Sequence, residues 1–162
     1  MSKFHFAFLL MIVAVATCCK TGWLTNGNSC YFFSHDTENW IGALQLCREL
    51  GGKLVEIETE AENTFIKSQE SQFVKDRFWI ALSDVEIENT WIWMNSKVPL
   101  STTGFSDWFP GQPDNNKLDQ NCASFHLNKT SGNTVWHWDD VPCMGRNHYI
   151  CEALDSPGNI VG

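Results

Sequence analysis

Gln112, Asp114 and Gln120, followed by the consecutive acids Asp139 and Asp140, offer carboxylate and amide oxygens from two separate stretches of the chain. Oxygen donors of this kind are what a calcium ion takes, about six to eight at a time. Carboxylates held close together repel one another, and a divalent cation offsets that repulsion. These five residues are therefore the candidate Ca2+ ligands. Nothing comparable is arranged for catalysis. His35, His126, His137 and His148 lack the paired spacing of a His-Glu-x-x-His helix, and no Gly-x-Ser-x-Gly nucleophile motif occurs. No enzymatic activity is expected.

The context is extracellular. Lys3 precedes the apolar run Phe4 to Ala16, and Ala14-Val15-Ala16 supplies small residues at the usual cleavage positions, so residues 1–17 read as a secretory signal peptide. The run is shorter than the roughly 20 apolar residues of a membrane span, and no second one follows. About 145 residues remain, enough for one domain with a real core. The formal charge is −8 and Lys3 is the only charged residue of the leader, so the remainder is more acidic still. With no basic cluster, nucleic acid and anionic lipid are excluded as expected partners. Seven cysteines in a secreted chain predict disulfides. Setting Cys18 aside, Cys19, Cys30, Cys47, Cys122, Cys143 and Cys151 allow 15 pairings, of which spacing favours only the short Cys19–Cys30 loop. The absence of Cys-x-x-Cys argues against a redox pair or zinc ribbon.

Several elements must position the candidate ligands. Tyr31-Phe32-Phe33 predicts a strand, and Trp40, Ala43, Leu44, Cys47 and Leu50 recur at helical spacing, with Asp36 or Thr37 as the cap and Gly51-Gly52 as the stop. Leu54 to Ile57 predicts a short strand. Thr59 followed by Glu62 is a capping-box signature for a second helix to about Glu70, with a thin apolar side of Ala61, Phe65 and Ile66. Phe78 to Leu82 is an unbroken apolar run, read as a buried strand ending at Asp84, and Trp91-Ile92-Trp93 as another. Met94 to Asn121 has no regular pattern. A stretch this long, holding Phe105, Trp108 and Phe109, predicts a packed functional loop. Cys122 to Phe125, Val135 to Trp138 and His148 to Cys151 predict three closing strands, with residues 153–162 as a mobile tail.

Trp79-Ile80-Ala81-Leu82, with alanine where glycine is usual, Trp91-Ile92-Trp93, and four cysteines at matching places resemble the C-type lectin-like domain over residues 19–152. The resemblance implies an α+β fold of two helices packed on small antiparallel sheets, with a long calcium- and sugar-binding loop and three disulfides. By it, Cys47 pairs with Cys151, Cys122 with Cys143, and Cys19 with Cys30 as the extra bridge of the long form. Cys18 is either lost with the leader or left for an intermolecular bridge in a homodimer. The overall look is similar to small secreted invertebrate lectins, including perlucin-like proteins of molluscs.

In calcium-dependent members the ion is held by Glu-Pro-Asn or Gln-Pro-Asp, an acid before the third cysteine, and an Asn-Asp pair after tryptophan. The counterparts here are Gln112, Asp114, Gln120, Asp139 and Asp140, with Gln120 in place of glutamate and Asp139 in place of asparagine. The two exchanges together keep three carboxylates. An X-Pro bond adopts cis at modest cost, and the family uses that isomer at Pro113. A second ion in some relatives would draw on Asp84, Glu88, Asn115 and Gln120, of which two are acids, so a weak site or none is expected. Glycan hydroxyls would complete the ion's shell, with Gln112, Asp114, Gln120 and Asp139 as the carbohydrate-binding set. The Gln-Pro-Asp label places the chain in the galactose class. Its exchanged second pair, and Asn115 and Asn116 where relatives carry a stacking ring, imply that mannose or fucose compete. Asn128-Lys129-Thr130 is an N-glycosylation sequon, read as lying between strands. The expected function is a secreted calcium-dependent lectin in particle or innate immune recognition. The alternative is an extracellular matrix protein associated with calcium carbonate.

Overall fold

The computed structural model describes residues 19–69, 77–130 and 133–155, and no side chain within 128–130 or 133–134. The expected leader and Cys18 lie outside these residues. The described chain is α+β. Strands β1 (Leu24–Asn26) and β2 (Ser29–Phe33) form a hairpin, helix α1 (Trp40–Glu49) follows, then β3 (Lys53–Leu54) and α2 (Glu60–Ser68). Next come β4 (Arg77–Ser83), β5 (Ile92–Trp93) and a short helix α3 (Leu100–Thr103). β6 (Cys122–Thr130), β7 (Asn133–Val141) and β8 (His148–Leu154) close the sheet. The order is β1-β2-β8-β4-β6-β7, with β3 beside β8 and β5 beside β4. β4 and β8 run parallel, and the other named pairings are antiparallel.

The unbroken apolar run in β4 reflects burial at every position from Phe78 to Ser83. α1 packs onto it through Trp40, whose indole Nε1 donates to the Ile80 carbonyl at 2.9 Å. Trp40, Ala43, Leu44 and Cys47 form the helix's buried side, as the spacing predicts, whereas Leu50 is the exposed C-cap. The N-cap is Asn39 rather than Asp36 or Thr37: its side chain accepts from the Gly42 N–H at 2.9 Å. Asp36 instead accepts from the Tyr149 hydroxyl.

In α2 the Thr59 hydroxyl accepts from the Glu62 N–H, and the Glu62 carboxylate answers to the Glu58 N–H, one residue earlier than the expected box. Ala61, expected inside, is exposed; Asn63 is buried in its place because its amide reaches Asp107. The strand expected over Leu54 to Ile57 is cut short. Val55 donates to Ile150 and accepts from Ala81, bridging β8 and β4 instead of extending a ladder. Buried Glu56 accepts the N–H groups of Asn95 and Ser96, fixing the start of the long loop.

Three disulfides, Cys19–Cys30, Cys47–Cys151 and Cys122–Cys143, tie β1's approach to β2, α1 to β8, and β6 to the segment after β7. Two boundaries differ from the sequence expectation. β8 continues through Ala153 and Leu154, which pair with Cys30 and Ser29 and so do not belong to a tail, while residues 156–162 lie outside the described residues. The sequon forms the last three residues of β6, where Asn128 pairs with Val135, and is not a connection between strands.

Candidate metal centre

The stretch from Met94 to Asn121 holds its shape by packing on β7. The Trp138 N–H donates to the Asp107 carbonyl and the Phe109 N–H to the Trp138 carbonyl, both at 2.8 Å. Around the buried Trp138 ring stand Trp93, Phe105 and Trp108, with centroids 5.7 to 5.8 Å away and near-perpendicular planes. That edge-to-face geometry is the favoured one for aromatic pairs. The Asp107 carboxylate reaches Asn63 and Lys67 of α2 and His137 of β7. These ties deliver Gln112 and Pro113, joined by a cis peptide bond, to the C-terminal end of β7.

There Asp140 is fully buried, and its two carboxylate oxygens accept the N–H groups of Asp114 at 3.2 Å and Asn115 at 2.7 Å. The Asp140 carbonyl accepts from the Gln120 amide at 2.6 Å. Asn115 takes a left-handed φ of 41°, which its short polar side chain tolerates, and its amide oxygen accepts the Gln120 N–H. Asp114 turns back to accept from the Asn116 N–H. Asp114, Gln120 and Asp140 are therefore brought to one rim, with Gln112 two residues before Asp114 across the cis bond.

Asp139 is not among them. β7 alternates, with Trp138 and Asp140 on the buried face, so Asp139 projects to the opposite one. Its carboxylate lies 2.7 Å from the Arg77 guanidinium, which also donates to Ser124 at 2.8 Å. The expected convergence of three carboxylates is accordingly absent. Among the described residues the one group of three His, Cys, Asp or Glu ligand atoms within 4.8 Å of each other is Cys19, Cys30 and Asp155, and its sulfurs are those of a disulfide.

The residues expected for a second ion do approach one another. Asn115 donates its amide to Glu88 at 2.7 Å, and Asp84 is buried, accepting the Asn89 N–H at 2.9 Å. Burial pushes the Asp84 carboxyl above its usual range, with the charges of Glu88 and Asp140 adding to the effect. Burial likewise raises the Asp140 carboxyl, against the backbone donors of Asn115 and Asp114. Four buried oxygens here, Gln112 Oε1, Gln120 Oε1, Asn121 Oδ1 and Asp84 Oδ1, have no protein donor. Asn121 was not anticipated; it directly precedes Cys122, which was the signal available. Buried polar atoms are usually satisfied, and unmatched oxygens on Gln112, Gln120, Asn121 and Asp84, the last also a raised carboxyl like Asp140, are of the hard-donor type that calcium takes. A depression of about 200 Å³, lined by Asn116, Lys117, Asp119, Gln120 and Pro142, opens beside them. A larger groove of about 490 Å³ between Trp91 and Phe105 contains none of the expected ligands.

A family model for the lectin C-type domain matches residues 36–153. The chain belongs to the C-type lectin family. This lectin is 32% identical over 136 residues to a perlucin-like protein of Mytilus galloprovincialis, covering 82% of the chain and 81% of the relative. It is 34% identical over 139 residues to mouse C-type lectin domain family 4 member E, covering 86% of the chain but 62% of that protein's length. Among solved structures, the cow CD23 carbohydrate-recognition domain, determined in the presence of a GlcNAc2Man3 oligosaccharide, superposes with a TM-score of 0.72 at 29% identity, covering 86% of this lectin and 98% of that chain. No helix among the described residues is long and apolar enough to cross a membrane.

Proposed function

We propose that this C-type lectin is a secreted, non-enzymatic protein that binds glycans through calcium, in recognition of microbes or other particles. The observation that carries the reading is the pair of buried, donorless oxygens on Gln112 and Gln120, set beside Asp114 and Asp140. Calcium would be held by these four residues, and Asp139, paired with Arg77 on the opposite face of β7, stays outside the set. A bound ion would present open coordination positions to vicinal sugar hydroxyls. Gln112 and Asp114 favour a galactose-type diol, while Gln120 and the lack of an aromatic ring at Asn115 and Asn116 leave mannose and fucose as competitors. Secretion is supported by the disulfides, which persist in oxidising compartments. A single weak site gains from a dimer through avidity.

The deciding experiment is passage over immobilised galactose and mannose in millimolar calcium. The chain is retained and a chelator elutes it; retention that ignores the chelator refutes calcium dependence. Similarity to the perlucin-like protein supports the calcium carbonate alternative. Adsorption to calcite that persists in excess monosaccharide would favour that alternative.

A further inference from the structure

We infer that helix α2 sets the calcium affinity of the rim by gripping the long loop at Asp107, an inference that rests on the calcium reading above. The grip is one carboxylate shared between two elements. Asp107 Oδ2 accepts from the Asn63 amide at 2.8 Å and lies 2.7 Å from the Lys67 ammonium, both on α2, while His137 Nδ1 of β7 lies 3.1 Å from Oδ1. Asn63 and Lys67 stand one helical turn apart, so their head groups meet the same oxygen. α2 is itself seated on the core: Ile66 is buried, the Tyr31 hydroxyl donates to Glu62 at 2.9 Å, and the Tyr31 and Phe65 rings stand 5.1 Å apart. The Lys67 and Asp107 side chains are 32% and 18% exposed, so the pair is better shielded than a surface ion pair.

The grip reaches the rim through a short, stiff path. Backbone hydrogen bonds of Asp107 and Phe109 to Trp138 pin the loop to β7 on either side of Trp108. The Phe109 carbonyl then accepts the Gln112 N–H at 2.8 Å, closing a turn with Pro110 and Gly111 at its centre and Gly111 at a φ of 94°. Proline followed by a left-handed glycine is the chemistry of a type II turn, which leaves the backbone little freedom. From it the chain runs directly into Gln112 and Asp114, whose N–H meets Asp140. Oxygens held in place before the ion arrives bind it more tightly, because ordering the loop otherwise opposes binding. Loosening Asp107 from α2 therefore weakens calcium, and by linkage calcium tightens the hold of α2 on Asp107. The sign separates this from a field effect: a lysine acting only through its charge repels the ion, and its removal would tighten calcium. Asn63, Lys67 and Asp107 are positioning residues and are assigned no contact with the ion or the sugar.

The test is calorimetric calcium titration of wild type, Lys67→Met, Lys67→Arg, Asp107→Asn and the Lys67→Met/Asp107→Asn double variant. It is paired with NMR of hydrogen exchange at the Asn63 side-chain amide in chelator and in calcium. Methionine keeps the length of the lysine stem without the charge, and arginine keeps the ion pair. Expected is calcium binding about fivefold weaker in Lys67→Met, the low end for coupled sites, and wild-type affinity in Lys67→Arg. Lys67→Met should add no further loss in the Asp107→Asn background, and calcium should slow exchange at Asn63. Unchanged or tighter binding in Lys67→Met, equal weakening in Lys67→Arg, additive losses in the double variant, or exchange at Asn63 indifferent to calcium overturns the inference while leaving the calcium reading intact. Should Asp107→Asn fail to fold, the comparison of Lys67→Met with Lys67→Arg decides alone. No calcium binding by wild type overturns the calcium reading, and this inference with it.

Discussion

Asp140 has two tasks, since the oxygens proposed to face the ion also hold the backbone N–H groups of Asp114 and Asn115. Asp140→Ala is expected to abolish the calorimetric calcium signal and, by orphaning those donors, to cost about 1–3 kcal/mol in urea unfolding. Acid should act on the same residue. Because burial raises the Asp140 and Asp84 carboxyls, the fold prefers their protonated forms; their contribution to stability in chelator is greatest at low pH and is lost as pH rises through the raised values. Calcium binding must expel those protons, so affinity should fall as the solution is acidified, measured by titration at neutral and at mildly acidic pH. Gln112, Asp114, Gln120 and Asp140 were legible as oxygen donors at recognisable spacing. The partner of Asp139 was not, because Arg77 lies 62 residues away and only strand register brings the two together.

Among the elements, α2 and the long loop show how local signals succeed and fail. The Thr59 cap was legible because capping is a contact within four residues. The inward turn of Asn63 was not, since its partner Asp107 belongs to a segment without periodicity. Burial, with the nearby charge of Glu152, pushes the Glu62 carboxyl of α2 up to about 7 from 4.5. A raised carboxyl stabilises the fold below its unfolded value and loses that contribution as pH climbs through the folded one. Glu62→Gln should therefore flatten the dependence of the urea midpoint on pH between about 5 and 8 and stabilise the protein at the alkaline end. Trp138 is the corresponding anchor of the long loop. Trp138→Ala is expected to cost about 3–5 kcal/mol and to lose calcium binding as well, because the rings of Phe105 and Trp108 lose their common support. Thermal melts with and without calcium would check both effects.

For the molecule as a whole, the Cys47–Cys151 bridge spans 104 residues and joins the first helix to the final strand. Chain-entropy reasoning assigns a loop of this size roughly 4.7 kcal/mol, so Cys47→Ser should show a sharply lowered melting temperature. The fold class and disulfide pairing were legible from the family resemblance, whereas the parallel junction of β4 and β8 was not, since neither strand's own pattern names its neighbour. That junction orders the sheet with β1 at one limit and β7 at the other. Leu154 pairs with Ser29 on the β1 side, while Asp139 and Asp140 belong to β7. A biotin handle appended beyond Leu154 would thus anchor the protein to a sensor chip by the flank remote from β7, leaving the cation-binding rim facing the flowing analyte.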